Sequence, residues 1–89
     1  MKIHFTKGFK KAYKKRIQQN ENLVKRFDQR YDLFENDSQD PILKDHELSG
    51  KLQGYRAFSV TGDIRVIYYI FEDTAYLVDI GTHNQVYGR

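Results

Sequence analysis

Apolar and polar residues alternate over Lys2–Phe5, with Ile3 and Phe5 on one side and Lys2 and His4 on the other, which predicts a short half-buried strand. The period then lengthens. Phe9, Ala12, Tyr13 and Ile17 fall on one helical stripe, and Thr6 is placed to cap its start. Gln18-Gln19-Asn20 breaks that stripe, and Asn20 can cap the next helix. Leu23, Val24, Phe27, Tyr31 and Phe34 make a second stripe over Asn22–Glu35. Two amphipathic helices joined by a short polar link read as a helical hairpin. Neither stripe is stable in water by itself, so both need a sheet to cover.

Asn36–Asp40 is polar, and Pro41, the only proline, punctuates it. An irregular connector follows, in which Ile42, Leu43 and Leu48 tuck against the core while Asp45, His46 and Glu47 ride along. Ser49-Gly50-Lys51 and Gly54 mark further turns. Three strands then come in quick succession: Tyr55–Val60, Ile64–Phe71 and Ala75–Ile80. Thr61-Gly62-Asp63 joins the first two, with Gly62 expected at positive φ, and Glu72-Asp73-Thr74 joins the last two. Turns this short force antiparallel neighbours. Ile64–Phe71 is apolar except at Arg65, which predicts the central strand. In the last strand Tyr76, Val78 and Ile80 are expected to oppose Ala75, Leu77 and Asp79. Gly81 should end it, leaving Thr82–Gly88 as a tail. The order β-α-α-β-β-β predicts an α+β, two-layer fold: an antiparallel C-terminal meander with the helical hairpin on one face. With 89 residues, a single domain over 1–89 is expected.

Composition narrows the function classes. There is no cysteine, so a disulfide framework and a thiolate metal site are excluded. No apolar run approaches the ~18–20 residues of a membrane span. MKIHFTKGFKK has no apolar segment of the signal-peptide kind, so a cytoplasmic location is expected. The net charge of +3 hides an asymmetry: residues 1–30 carry ten Lys/Arg against two acids, and residues 31–89 carry five against ten. A basic half of that kind is either a solvated helix face or the footprint of a phosphate-rich partner.

The chemistry-bearing residues gather late in the chain. Arg56, Asp63, Arg65, His83 and Tyr87 belong to the terminal strands and tail, and His46 joins from the connector. Two histidines, a carboxylate, two arginines and a tyrosine match the needs of metal-free RNA cleavage. One group takes the proton of a ribose 2′-OH, another protonates the leaving 5′-oxygen, and cations stabilise the charge between them. Imidazole suits both proton steps because its pKa of about 6.5 lies near neutrality. Each residue has a structural alternative. His46 can be a loop residue bonded to backbone, His83 a turn cap, Arg65 a partner of Asp79 or Asp63, and Tyr87 a packing residue.

The runs KDHELSG, GYRAFSVTGDIRVIYYI and GTHNQVYG, in that order, resemble the RelE/YafQ superfamily of bacterial toxins from type II toxin–antitoxin pairs. The likeness is to the YafQ-like branch, with its K-D-H-x-L-x-G, then G-Y-R, a hydrophobic I-Y strand, G-T-H and an aromatic-Gly ending. It covers about half of the chain closely and the helical half in pattern only. The resemblance implies a RelE-like fold and a ribosome-dependent mRNA endonuclease acting in the ribosomal A site. It implies no metal and no cofactor, and a cognate antitoxin that wraps the toxin surface. It places proton transfer on His46, Asp63 and His83, with His83 as the acid and His46 or Asp63 as the base. RNA stacking or orientation falls on Tyr87 and phosphate stabilisation on Arg65, while Arg56 is as readily structural as substrate-binding. The family pattern has a further histidine where this chain has Ser59, and serine is no base near neutral pH. The alternative expectation is therefore a catalytically weak or inactive RelE-like module that binds RNA or protein.

Overall fold

The computed structural model describes residues 1–88. Chain order is β1 (Lys2–Phe5), α1 (Lys7–Arg16), α2 (Glu21–Asn36), a 3₁₀ turn (Pro41–Leu43), β2 (His46–Glu47), a second 3₁₀ turn (Gly50–Leu52), β3 (Arg56–Ser59), β4 (Ile64–Phe71), β5 (Thr74–Thr82) and α3 (His83–Tyr87). The sheet runs β1-β5-β4-β3-β2. β3, β4 and β5 form the expected antiparallel meander, and β4 is central. β1 lies parallel to β5 at one edge, and β2 adds a fifth strand at the other.

Thr6 starts α1 and fastens it to the sheet. Its hydroxyl oxygen accepts from the Phe9 amide at 3.2 Å, and its O–H donates to the Leu77 carbonyl at 2.8 Å. Asn20 Oδ1 caps α2 through the Leu23 amide at 3.2 Å. Both stripes then bury as their spacing requires: Phe9, Ala12 and Ile17 with Phe27 and Phe34, against Phe58, Val66, Tyr68, Leu77 and Ile80 of the sheet. Phe34 stacks on Phe58 at 4.5 Å and meets Tyr68 edge-on at 5.0 Å.

Four local features depart from what the sequence predicts. Of the connector residues expected against the core only Leu43 is there; Ile42 is exposed and Leu48 lies outside the core cluster. β5 does not alternate evenly: Tyr68 pairs with Leu77 and Ile67 with Asp79, so Val78 is an extra residue, and Ile80 joins Ala75 and Leu77 in the core. Gly62 has no positive φ; among the described residues the left-handed positions are Lys44, Gly50, Gly54 and Glu72. Thr61 closes that turn with its side chain, Oγ1 accepting from the amides of Asp63 and Ile64 at 3.1 and 2.9 Å, so no left-handed residue is needed. Gly81 does not end β5, which continues to Thr82, and the expected tail is a helix.

Candidate active site

The register of the meander separates two sets of side chains. Phe58, Val66 and Ile80 lie in one row facing the helices. On the opposite face, Ser59, Arg65 and Gly81 share one row, and His46, Ala57 and Ile67 share the next. Arg65 lies one position from the core-facing Val66, and His46 pairs with Ala57, itself one position from the core-facing Phe58, so both project from the face opposite the helices.

His46 reaches that face through β2. Lys44, left-handed at φ 51, ends the first 3₁₀ turn and redirects the chain into the edge strand. Its carbonyl accepts from His46 Nδ1 at 2.9 Å. A carbonyl only accepts, so Nδ1 carries the proton and, in the neutral ring, Nε2 keeps a free lone pair. The backbone thus selects the tautomer a general base needs. Arg65 pairs with neither Asp79 nor Asp63. Its Nη1 donates to Ser59 Oγ at 3.1 Å, while Asp79 is taken by Arg16, also at 3.1 Å.

His83 and Tyr87 come from α3. Thr82 caps this helix: its hydroxyl accepts from the Gln85 amide at 3.1 Å, and Gln85 Oε1 accepts from the Thr82 amide at 2.8 Å. Four residues apart, the two rings meet edge to face with centroids 4.6 Å apart. The Tyr87 hydroxyl is buried and has no hydrogen-bond partner among the described residues. Burial raises its pKa, and the Arg65 charge works the other way.

His46, Arg65, His83 and Tyr87 line a single open cleft of about 370 Å³, with Leu48, Ser49 and Leu52 as its remaining wall. Four of the six expected site residues are brought together. The other two are not. Asp63 is exposed on the β3–β4 turn and lines no part of the cleft. Arg56 has the parity of Phe58, not that of Ser59, and its Nε donates to Asp45 Oδ1 at 2.8 Å. The Tyr68 hydroxyl donates a short hydrogen bond to the other oxygen of Asp45. That carboxylate is 3% exposed, so Arg56 and Tyr68 complete a structural network. The sequence reads Leu48 as a core residue and Ser49-Gly50-Lys51 as a turn, so nothing in it marks Leu48–Leu52 as a cleft wall.

A family model described as "Bacterial toxin of type II toxin-antitoxin system, YafQ" matches residues 1–88. No curated protein matches the sequence. Among solved structures, YafQ from E. coli strain BL21(DE3) superimposes with a TM-score of 0.82 at 24% identity, covering 97% of each chain. The E. coli DinJ–YafQ toxin–antitoxin complex gives 0.79 at 25% identity, over 97% of this chain and 96% of that one. A YoeB/ParE toxin from Agrobacterium tumefaciens gives 0.76 at 16% identity, over 93% of this chain and 99% of the other, a likeness of fold.

Proposed function

The chain belongs to the YafQ family of toxins from type II toxin–antitoxin systems, and from that premise we propose that it is a single-domain, ribosome-dependent mRNA endonuclease working in the cytoplasm. The observation that carries the reading is the meeting of His46 and His83, far apart in sequence, in one cleft with Arg65. His46 Nε2 takes the proton of the ribose 2′-OH, and the freed oxygen attacks the adjacent phosphorus. The bond to the 5′-oxygen breaks, and His83 protonates that leaving oxygen. Arg65 stabilises the charge that grows on the phosphate oxygens. The products are a 2′,3′-cyclic phosphate and a 5′-hydroxyl, and no atom comes from solvent. Tyr87 holds the His83 ring edge to face and presents its own ring to the RNA. Asp63 is the weaker base candidate because it lines no part of the cleft.

The exposed lysines of α1, Lys10, Lys11, Lys14 and Lys15, are proposed to meet ribosomal RNA phosphates. A cognate antitoxin is the expected inhibitor, in line with the complex formed by the E. coli relative.

Purified protein added to ribosomes holding a defined codon in the A site tests the reading. Wild type should cut within that codon. His46→Ala and His83→Ala should each slow cleavage by about 10²–10⁴ while melting as wild type does. Ser59 favours the competing reading of a non-catalytic module, because the position holds an arginine anchor and no base. That reading stands if wild type binds ribosomes and leaves the mRNA intact.

A further inference from the structure

A second crevice adjoins the cleft, because Arg65 lines both. It is small, about 100 Å³, and three of its side chains are cations: Arg30 from α2, Lys44 after the first 3₁₀ turn, and Arg65 from β4. Among the described residues no carboxylate lines it. Among the described residues none pairs with any of the three, the ion pairs belonging to Arg16 and Arg56. Arg30 Nη1 donates to the Ser59 carbonyl at 3.1 Å and the Ile42 carbonyl at 3.4 Å, which fixes the guanidinium and leaves its other N–H groups unpartnered among the described residues. Burial, and then the neighbouring Arg26, pull the Arg30 pKa down. Thr61 Oγ1 already accepts two amide hydrogens, so its own hydroxyl hydrogen is available to a ligand in the crevice.

We propose that this crevice is a second phosphate subsite, holding the phosphodiester next to the one that is cleaved. The proposal rests on the nuclease reading above and adds a register to it. Three cations, with no carboxylate paired to them among the described residues, converge on one crevice, and an anion is what neutralises them there. Guanidinium groups match phosphate oxygens two at a time, and Lys44 adds a point charge. The anion belongs to the substrate strand because Arg65 is shared. A phosphate in the cleft and one in the crevice would each adjoin Arg65, which lines both, as successive linkages of one chain can. Ser59 ties the pair together, its carbonyl holding Arg30 and its hydroxyl holding Arg65.

Two measurements test this. In the first, inorganic phosphate is titrated into the protein and followed by proton–nitrogen correlation spectra. Saturable shifts are expected at the Thr61 and Gly62 amides and at Arg30 Nε–H, with affinity reduced about tenfold or more in Lys44→Glu. Lys44 is exposed and already left-handed, so that exchange leaves the fold in place. Arg30→Gln gives a second variant, its folding checked by circular dichroism. Shifts confined to His46, His83 and Tyr87, or unchanged by Lys44→Glu, overturn the subsite whatever the nuclease activity. In the second, ribosome-bound mRNA carries a neutral methylphosphonate at each linkage flanking the cut in turn. One of the two should slow wild type about tenfold and cause no further loss in Lys44→Glu. If Lys44→Glu slows cleavage and neither methylphosphonate does, the crevice holds a phosphate of another RNA, and the substrate-strand assignment fails. If wild type does not cleave unmodified mRNA, the nuclease reading falls and takes the substrate strand with it, while the phosphate titration still decides the subsite.

Discussion

Asp45 is a buried carboxylate whose two oxygens are both engaged, one by Arg56 and one by the Tyr68 hydroxyl. Its neighbours differ in exposure, the Arg56 side chain being 29% exposed. Removing Arg56 strands a buried charge, whereas removing Asp45 strands only a hydroxyl and a half-solvated cation. Arg56→Ala should therefore cost about 3 kcal/mol and Asp45→Ala about 2 kcal/mol in urea unfolding. Equal stability of Arg56→Ala and wild type would return Arg56 to the substrate-binding group. Tyr68 adds a pH dependence. Burial, then the bond to Asp45, raise its pKa well above the ordinary 10.0. The unfolded chain releases this proton from about pH 10 while the native state keeps it. The stability Tyr68 contributes is whole below pH 10 and is lost as pH rises toward the folded-state value. Urea midpoints from pH 9 to 11 should fall more steeply in wild type than in Tyr68→Phe. The two arginines of the terminal strands look alike in the sequence. Parity within β3 and β4 sends one to Asp45 and the other to the cleft, and parity is readable only once the strand boundaries are known.

At the scale of the element, α3 matters most. A five-residue helix has little stability of its own, and this one is held by its capping box and its packing on β4 and β5. The residue before the cap is Gly81 for a steric reason: a Cβ there would lie 2.6 Å from Gln85 Oε1 and 2.8 Å from the Arg16 guanidinium. Gly81→Ala should break the Gln85 half of the box and disturb the Arg16–Asp79 pair together. Cleavage is expected to fall at least tenfold because His83 and Tyr87 shift, with a stability cost of about 1–2 kcal/mol. Full activity in Gly81→Ala would mean that α3 need not be held. This segment has no apolar stripe, so its periodicity predicts only a tail, and the extra residue at Val78 is invisible because a bulge leaves no mark in an alternating pattern. The capping signal was there in Thr82 and Gln85, set three apart. β2 escaped for a similar reason: two residues have no period.

For the molecule as a whole, charge and aromatic packing set behaviour. Residues 1–30 carry the positive excess, most of it on α1, and residues 31–89 carry most of the acids. Ribosome association should weaken with salt, and exchanging Lys10, Lys11, Lys14 or Lys15 for Gln should lower the slope of log affinity against log salt by about 1 each. A slope unchanged in the fourfold variant would place the ribosome contact elsewhere. Tyr13 and Tyr31 also have raised pKa values, burial leading in both, so alkaline loss of stability is shared across the core and will only be reduced by Tyr68→Phe.

Periodicity, turn chemistry and caps in the sequence determined the two helices, the meander and the central position of Ile64–Phe71, because these depend on neighbours within a few residues. The motif runs carried the family and four residues of the cleft. The tertiary structure alone decided which arginine faces the cleft, that Asp63 stays outside it, and that Arg30 and Lys44 join Arg65 around a crevice. Those outcomes depend on register across strands and on contacts between distant segments, and a one-residue change in either moves a side chain to the other face.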